Sequence, residues 1–457
     1  MNEKVITRSV LLVVLALFSS ASFAQESALH STPIEADAHK LSLPSSRAFE
    51  VEPDAEPGAF SMRESLRELP AFFRDTTLNI NLRNFYFARS DASDAPGNDS
   101  EKISWAQGGS AKLKSGKLFD IFSVGGELFF SENLYGPKDK DGALLLEPGQ
   151  EGYTVIGVAN PRFEYAGHLV SLYRQRHELP YVNSQENRMT PNTFESYSYG
   201  YLGEGGAPPF QFGVGYLDRI KKRNSDEFVH MSEAAGVSGA ERGMPWIGAR
   251  IRPTEDIKIT AVNYAGIDFL NIFYGEAEYS LKLSDEWGLK SSVQASEQRS
   301  IGDNLLLGDD ISVAMWGAQQ AVSFRKFQVR TAVTVNDRGT SLRSPFGSYP
   351  GYNSSIVEDY NRAGELAWKI GIAYDFAAFG VDGLSAYADY IQGNHAVDDF
   401  KQGLNDKDET DVNIDYRIKE GWLSGFWLRL RGGFVHEATV GTTEDYRVIL
   451  NYDFPVI

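Results

Sequence analysis

Residues 425–435, with the sequence GFWLRLRGGFV, alternate apolar and charged side chains at their centre. Leu428 and Leu430 alternate there with Arg429 and Arg431. Because successive side chains of a β-strand point to opposite faces, both leucines lie on one face and both arginines on the other. A soluble sheet would turn the arginines to water, whereas a transmembrane β-barrel would turn the leucines to lipid and the arginines into its lumen.

The N-terminus has the features of a secretory signal peptide over residues 1–24. Lys4 and Arg8 precede an apolar run from Val10 to Phe18, and Ser22-Phe23-Ala24 is a small-x-small cleavage sequence. The run is shorter than the roughly 20 residues of a membrane-spanning helix. No later segment approaches that length, so we expect an exported protein that is not a helical membrane protein.

The composition limits the class of protein further. The 457 residues carry a formal net charge of −18, which disfavours nucleic acid as a partner. Cysteine is absent, so the exported chain has no disulfide framework. The mean hydropathy of −0.31 is that of a soluble protein. A porin-type barrel gives similar values, because only every second residue of each strand faces lipid.

Residues 25–73 differ from the rest of the chain and predict an acidic, proline-containing N-terminal extension in the periplasm. The extension contains Pro33, Pro44, Pro53 and Pro57 and few aromatic residues, a composition typical of a mobile tail. Its last part, Phe60–Phe73, predicts a short amphipathic helix. A linker is one interpretation of this segment, and a plug or partner-binding segment is the other.

Residues 74–457 alternate between strand-like segments and polar connections, which predicts an all-β transmembrane antiparallel barrel. The candidate strands begin at Thr77 and continue as Phe122–Phe130, Pro161–Arg176, Phe210–Asp218, Trp246–Arg252, Ile257–Tyr264, Ile272–Leu283, Leu289–Ser296, Ser312–Phe324, Phe327–Val335, Leu366–Phe376, Leu384–Ile391, Asp411–Lys419, Trp427–Val435 and Tyr446–Phe454. Short connections, as at 325–326, alternate with long ones, as at 341–365, and this alternation is typical of such barrels. The last strand resembles the sorting signal that the barrel-assembly machinery recognises, without the usual final Phe.

Seven sequence strings, in order along the chain, resemble the OprD family of outer-membrane porins. They are LRNFYF (82–87), SWAQG (104–108), ELP (178–180), NRMTPNTF (187–194), DRIKKRNS (218–225), EDYNRAGE (358–365) and YRVILNY (446–452). The resemblance implies a barrel of about 18 strands with inward-folded loops and facilitated diffusion of small, usually carboxylate-bearing solutes. It also implies a ladder of inward arginines that guides these solutes. The extension over residues 25–73 departs from the family pattern.

Alternation along the candidate strands places five arginines on the lumen face, namely Arg83, Arg417, Arg429, Arg431 and Arg447. A barrel closes by pairing its first and last strands, so Arg83 and Arg447 are expected on one wall beside Arg429 and Arg431. Guanidinium groups replace the hydration of a carboxylate with charge-assisted hydrogen bonds, and moderate sites in series allow both entry and exit. The alternative is that these arginines are incidental lumen charges.

The string from Asn187 to Phe194 matches the constriction loop of the family, so the resemblance places Asn187, Arg188 and Thr190 at the constriction. Arg188 either contacts the solute there or forms a salt bridge that fixes the loop to the wall. Arg174 and Arg176 are candidates to extend the basic track.

Sequence signatures of hydrolases, zinc proteases and nucleotide-binding loops are absent, so we expect no catalytic residues, metal or cofactor. The sequence favours a porin in the outer membrane of a Gram-negative bacterium, acting as a monomer or homotrimer. Expected partners are small anionic or zwitterionic solutes, outer-membrane lipid and lipopolysaccharide. The alternatives are an outer-membrane barrel enzyme of the lipase or protease type and a non-channel adhesion barrel.

Overall fold

The computed structural model describes residues 66, 68–92, 100–203, 209–306 and 310–456. The expected signal peptide and nearly all of the expected extension lie outside these residues. Of the helix expected over Phe60–Phe73, the described part contains one short helix, α1 (Ala71–Arg74). A second short helix, α2 (Met231–Ala235), follows later in the chain. No helix in the described part of the chain is long and apolar enough to cross a membrane.

Nineteen strands of the described residues form one antiparallel sheet. They are β1 (Thr77–Asp91), β2 (Ser100–Lys114), β3 (Phe122–Tyr135), β4 (Tyr153–Tyr165), β5 (His168–Gln175), β6 (Thr193–Tyr201), β7 (Phe210–Lys221), β8 (Phe228–His230), β9 (Met244–Ile251), β10 (Ile257–Gly266), β11 (Leu270–Lys282), β12 (Trp287–Arg299), β13 (Ser312–Phe324), β14 (Phe327–Asn336), β15 (Leu366–Asp375), β16 (Leu384–Asn394), β17 (Lys407–Arg417), β18 (Phe426–Glu437) and β19 (Gly441–Pro455). Each strand pairs with the next one along the chain, except that β7 pairs with both β9 and the three-residue β8.

The first and last strands close the sheet into a barrel, as expected. Asn79 of β1 lies opposite Pro455 of β19, and the register continues to Ser90 opposite Glu444. With β8 as an extra strand at the rim, the closed barrel has 18 strands. The predicted fold class, an antiparallel barrel of about 18 strands, is therefore confirmed.

One predicted strand, Pro161–Arg176, is wrong because it contains a hairpin. It comprises the end of β4 and all of β5, joined at Ala166 and Gly167, which both have a positive φ. A two-residue turn of this kind requires left-handed backbone, which glycine adopts without strain. The tight connections at 283–286 and 325–326 are present as predicted and lie at the same end of the barrel, the turn end.

Two long connections at the opposite end, the loop end, fold into the lumen. They are residues 176–192 between β5 and β6 and residues 337–365 between β14 and β15. The loops bind each other, since the Asn183 side-chain oxygen accepts a hydrogen bond of 2.9 Å from the backbone of Ser348.

Both loops pack against strands β6–β13 and fill that side of the lumen with apolar side chains. Tyr181 and Val182 of the first loop and Phe346 and Tyr349 of the second are buried there. They pack among inward-facing residues of the wall such as Tyr274. This side is named the apolar half, and a small cavity lies away from it, beside β18, β19 and β1.

Candidate functional site

The inner faces of β17, β18, β19 and β1 form the arginine wall, in which side chains lie in four rows. From the turn end to the loop end, the rows are Arg417, Trp427, Asn451 and Arg83; Asp415, Arg429, Ile449 and Phe85; Asn413, Arg431, Arg447 and Phe87; and Asp411, Gly433, Asp445 and Arg89. Successive rows are two residues apart along each strand, which separates them by about 6.8 Å. Every row contains an arginine, so basic side chains extend over about 20 Å of the lumen.

The structure places all five predicted ladder arginines on this wall. Arg83, Arg429 and Arg447 are buried, with exposed fractions of 8%, 8% and 3%. Arg431 is half-buried, and Arg417 is exposed at the turn end of the wall. The guanidinium carbons of Arg417 and Arg429 each lie 4.5 Å from the centre of the Trp427 ring. Arg417 and Arg429 therefore both stack on Trp427, and Arg417 differs from the other four in its exposure.

Carboxylates within the wall orient several of these arginines. Arg429 Nε lies 2.7 Å from Asp415 Oδ1, and the indole nitrogen of Trp427 donates to the same oxygen at 2.9 Å. Arg447 Nε lies 2.6 Å from Asp445 Oδ1. Such charge-assisted bonds fix the position and orientation of a guanidinium group.

Arg431 and Arg447 are an unfavourable pair in purely structural terms. They lie directly opposite each other on neighbouring strands and on the same face. Like charges in this relation destabilise a sheet. Arg431 also donates to the Tyr387 hydroxyl at 3.0 Å. Local arrangements that oppose folding are expected chiefly at functional sites, which makes the third row a candidate site.

A small cavity, open to the lumen, lies between the wall and the loop 176–192. Its lining residues are Arg83, Phe85, Glu186, Asn187, Arg188, Trp427, Arg429, Arg431 and Ile449. The cavity thus brings together three of the five predicted ladder arginines and two of the three predicted constriction residues.

Arg188 is held by carbonyl groups instead of the salt bridge that the sequence left open. Its Nε donates to the carbonyl of Ala143 at 2.8 Å, and its guanidinium lies 5.1 Å from the Phe87 ring centre. Among the described residues it forms no ion pair with an acid. Burial and the nearby charges of Arg447 and Arg223 lower the pKa of Arg188. An arginine stays protonated even so, and this crowding of positive charge favours an anion in the cavity.

Arg83 fixes the loop 176–192 to the wall. Its Nη1 donates to the backbone carbonyl of Arg188 at 2.6 Å, and its Nε donates to Asn451 Oδ1 at 2.7 Å. Arg83 therefore both lines the cavity and determines where Arg188 lies.

Thr190 does not line the cavity and is fully buried behind the loop. Its hydroxyl contacts the Tyr153 hydroxyl at 2.9 Å and accepts from Lys221 Nζ at 3.1 Å. Asn187 does line the cavity, and its side-chain oxygen accepts from Arg223. Thr190 thus fixes the loop, whereas Asn187 is accessible from the passage.

Two further candidates for the basic track lie away from the cavity. Arg174 pairs with Glu195 at 3.0 Å and stacks on the Phe228 ring at 4.1 Å. Arg176 binds Glu127 at 2.9 Å and Glu186 at 3.2 Å.

Among the residues of the site that sequence reasoning missed are Phe85, Arg89, Trp427 and Glu186. Arg89 lies six residues after Arg83 and therefore on the same face, a signal that the alternation contained. Trp427 alternates with the outward Leu428 in the same way. Glu186 directly precedes Asn187 in sequence but carries no pattern of its own.

Glu186 is the acid of the cavity, and its side chain is 47% exposed. It accepts from Arg83 at 3.4 Å and from Arg176 at 3.2 Å. Burial would raise the pKa of its carboxyl, but Arg176 and Arg83 outweigh burial and lower this pKa below its ordinary value. Glu186 therefore carries a negative charge in the cavity at neutral pH.

Comparison with known proteins identifies the family. The family model described as outer membrane porin, OprD family, matches residues 70–456. Porin D of Pseudomonas aeruginosa is 21% identical over 445 residues, which cover 85% of this chain and 93% of that protein.

Solved structures have the same fold at low sequence identity. Pseudomonas aeruginosa OccK9 (OpdG) has a TM-score of 0.76 at 24% identity, covering 85% of this chain and 100% of its own. Acinetobacter baumannii OccAB3 has a TM-score of 0.74 at 19% identity, and the match covers 83% of this chain and 99% of OccAB3. Pseudomonas aeruginosa OpdK, solved with vanillate, has a TM-score of 0.73 at 19% identity, with coverages of 84% and 100%. The chain described above belongs to the OprD family of outer-membrane porins.

Proposed function

We propose that this porin passes small carboxylate-bearing solutes by facilitated diffusion along the arginine wall. The observation that carries the proposal is the direct cross-strand pairing of Arg431 with Arg447 at the cavity's edge. Like charges in this cross-strand relation cost folding energy, a cost that the pairing of Arg447 with Asp445 reduces. A carboxylate between or beside them offsets part of that cost while it is bound, so the site favours anions.

The spacing of the rows supports movement and not tight binding. Arginines in successive rows are separated by about 6.8 Å, a distance that a small carboxylate can cross while it changes partners. Asp415 and Asp445 hold Arg429 and Arg447 in place and reduce their attraction for an anion. Sites of moderate strength in series allow conduction, whereas one deep site would retain the solute.

Aromatic side chains alternate with the arginines and favour a solute with an apolar body. Phe85 and Trp427 line the cavity, and Phe87 lies in the next row. A flat aromatic carboxylate can pack against such rings while a guanidinium binds its carboxyl group. The similar structure of OpdK with vanillate supports the choice of benzoate as the first probe.

Glu186 extends the proposal to zwitterions. Its half-exposed carboxylate lies in the same cavity as Arg429 and Arg431. A solute with both an ammonium and a carboxylate group can therefore meet a partner for each.

The outward faces of the strands fit an environment of outer-membrane lipid. Large apolar side chains recur there at alternate positions, such as Ile370 and Ile372 of β15 and Leu430 of β18, and all are exposed. We place the turn end in the periplasm and the loop end outside, the arrangement usual for such barrels. Lipopolysaccharide and the assembly machinery are the partners we propose for these surfaces. Because the relatives are channels, we propose no catalysis and no cofactor.

Liposome swelling tests the proposal. Liposomes containing the purified protein are placed in iso-osmotic benzoate, in a neutral sugar of similar size and in a benzylammonium salt. We expect the fastest swelling in benzoate. Equal rates in benzoate and benzylammonium, with swelling in the sugar showing an open channel, would exclude a carboxylate preference.

A further inference from the structure

The tip of the loop 337–365, residues 355–358, lies against the loop end of the arginine wall. We propose that this loop tip is a detachable gate over the passage and that Glu409 and Asp411 of β17 are the positioning residues that hold it closed. The proposal requires only that the chain is a channel, and it is independent of the solute preference proposed above.

Two carboxylates of β17 accept four hydrogen bonds from the loop tip, and Lys407 of the same strand pairs with the Glu358 side chain. Glu409 accepts from the backbone nitrogens of Val357 at 2.8 Å and Glu358 at 3.0 Å. It also accepts from the Ser355 hydroxyl at 2.6 Å. Asp411 accepts from the backbone nitrogen of Ile356 at 3.0 Å. Four hydrogen bonds thus join the loop tip to Glu409 and Asp411.

The arginine wall binds the other side of the loop tip. Arg447 Nη2 donates to the backbone carbonyl of Ile356 at 2.8 Å. The tip is therefore held by an arginine of the third row as well as by the carboxylates of β17. The proposed gate would therefore lie over Arg447 in the third row.

A glycine of β18 provides the space in which the loop tip sits. A Cβ atom at Gly433 would lie 2.9 Å from Val357 Cγ2 and 3.1 Å from Ile356 Cγ2. Such distances are shorter than ordinary contacts, so any larger residue at position 433 would displace the tip. The strand thus carries a notch directly under the docked segment.

The rest of the loop is attached elsewhere, so the tip can leave without unfolding it. The Asn353 amide donates to the Ala367 carbonyl and to Thr334 Oγ1, each at 2.8 Å. On the other side, the Asn336 amide donates to the carbonyls of Tyr360 at 3.1 Å and Arg362 at 3.0 Å. The segment between these two attachments is short, and its contacts with the arginine wall determine its position.

Cysteine accessibility and channel recordings test the gate in the full-length chain, which has no native cysteine. Ile356→Cys places a thiol at a side chain that is only 9% exposed in the docked tip. We expect slow modification by a charged methanethiosulfonate reagent. Adding Glu409→Gln should accelerate modification about tenfold, because an amide group cannot accept all three hydrogen bonds.

Without Ile356→Cys, Glu409→Gln should raise the single-channel conductance in potassium chloride. Phe400→Cys, at an exposed loop residue, should react at the same rate in both backgrounds.

A second variant displaces the loop tip without changing a charge. Gly433→Val fills the notch and should also raise the conductance and the modification rate of Ile356→Cys. Gly432→Val is the matched control, because residue 432 is on the outer face of the same strand. Heat-shifted mobility in electrophoresis reports whether each variant is folded.

Wild-type conductance in folded Glu409→Gln or Gly433→Val channels would overturn the gate. Faster modification without a change in conductance would also overturn it, since the tip would then move without controlling the passage. Neither result depends on whether benzoate is preferred, so the gate and the solute preference can fail separately.

Discussion

The apolar half and the arginine wall are built from the same alternating strands but differ in what faces inward. In the apolar half, Tyr181 and Tyr349 of the loops pack edge-to-face, with ring centres 6.0 Å apart, and exclude space for a passage. On the wall, inward positions hold arginines, and a small open cavity lies between them and the loop 176–192. One half of the lumen therefore stabilises the loops, and the other half carries the arginines along which we propose that solutes pass.

The two halves also differ in the contacts that their buried polar groups make. The Tyr181 hydroxyl contacts Ser296 Oγ at 2.7 Å, and the Tyr264 hydroxyl donates to the Pro180 carbonyl at 2.6 Å. These neutral groups bind each other at little cost. On the wall, Arg431 and Arg447 face each other with like charge. Substitutions in the apolar half should thus reduce stability, whereas substitutions on the wall should mainly change permeation.

The largest effect on stability should come from Tyr181→Ala. The side chain is fully buried, and its loss leaves a cavity at the centre of the apolar half. Removing a buried aromatic ring costs roughly 3–5 kcal/mol, and we expect a loss of this size in urea unfolding of vesicle-embedded protein. The exposed Phe400→Ala is the control, and an equal, small effect of both would contradict the division between the halves.

The next effect is a pH dependence in the apolar half. Burial lowers the pKa of His177 to about 4, whereas an unfolded histidine titrates near about 6.5. The neutral ring stabilises the fold fully above the unfolded pKa, and this contribution is lost as the pH falls through the folded pKa. Between about pH 6.5 and 4, the free energy of unfolding should fall in both proteins. The fall should be roughly 1–3 kcal/mol larger in the wild type than in His177→Gln. Identical pH profiles for the two proteins would exclude this role.

A single arginine of the wall should affect permeation without a comparable loss of stability. Arg431→Ala should reduce benzoate flux roughly five- to tenfold, which corresponds to about 1–1.4 kcal/mol. The control is Arg325→Ala, because Arg325 lies in an exposed turn and pairs with Glu286 at 2.6 Å. Liposome swelling compares the two variants. Equal benzoate flux through both would contradict the placement of solute on the wall.

The smallest effect should come from Glu186→Gln. This change removes the negative charge of the cavity and should raise benzoate flux about twofold, as expected for one half-exposed charge. Because Arg176 and Arg83 lower the pKa of Glu186, its carboxylate stays ionised between about pH 6 and 8, and the ratio of the two fluxes should be constant over that range. Glu151→Gln, at an exposed loop position, is the control. An unchanged or reduced flux in Glu186→Gln would show that this carboxylate does not repel anions.

Alternation within strands predicted much of the wall. Because side-chain direction has a period of two, Arg429 and Arg431 could be assigned to one face from local sequence alone. Closure of the barrel then related Arg83 to Arg447, although these residues are distant in sequence. Arg89 was missed although the same alternation places it inward.

The contents of the lumen could not be predicted in the same way. Tyr349 and Ile356 belong to a long loop without periodicity, and their positions depend on contacts with several strands. The docking of the loop tip depends on Glu409 and Gly433, which come from two different strands. The hairpin within Pro161–Arg176 was missed because a two-residue turn barely interrupts the alternation.

The most direct test of the central claim is the reversal potential of single channels in a potassium chloride gradient. The wild type should be selective for anions, and the double variant Arg429→Ala/Arg431→Ala should shift the reversal potential toward cation selectivity. Such a shift would identify the arginine wall as the surface along which anions pass. An unchanged, anion-selective reversal potential in the folded double variant would contradict the claim that anions pass along the arginine wall.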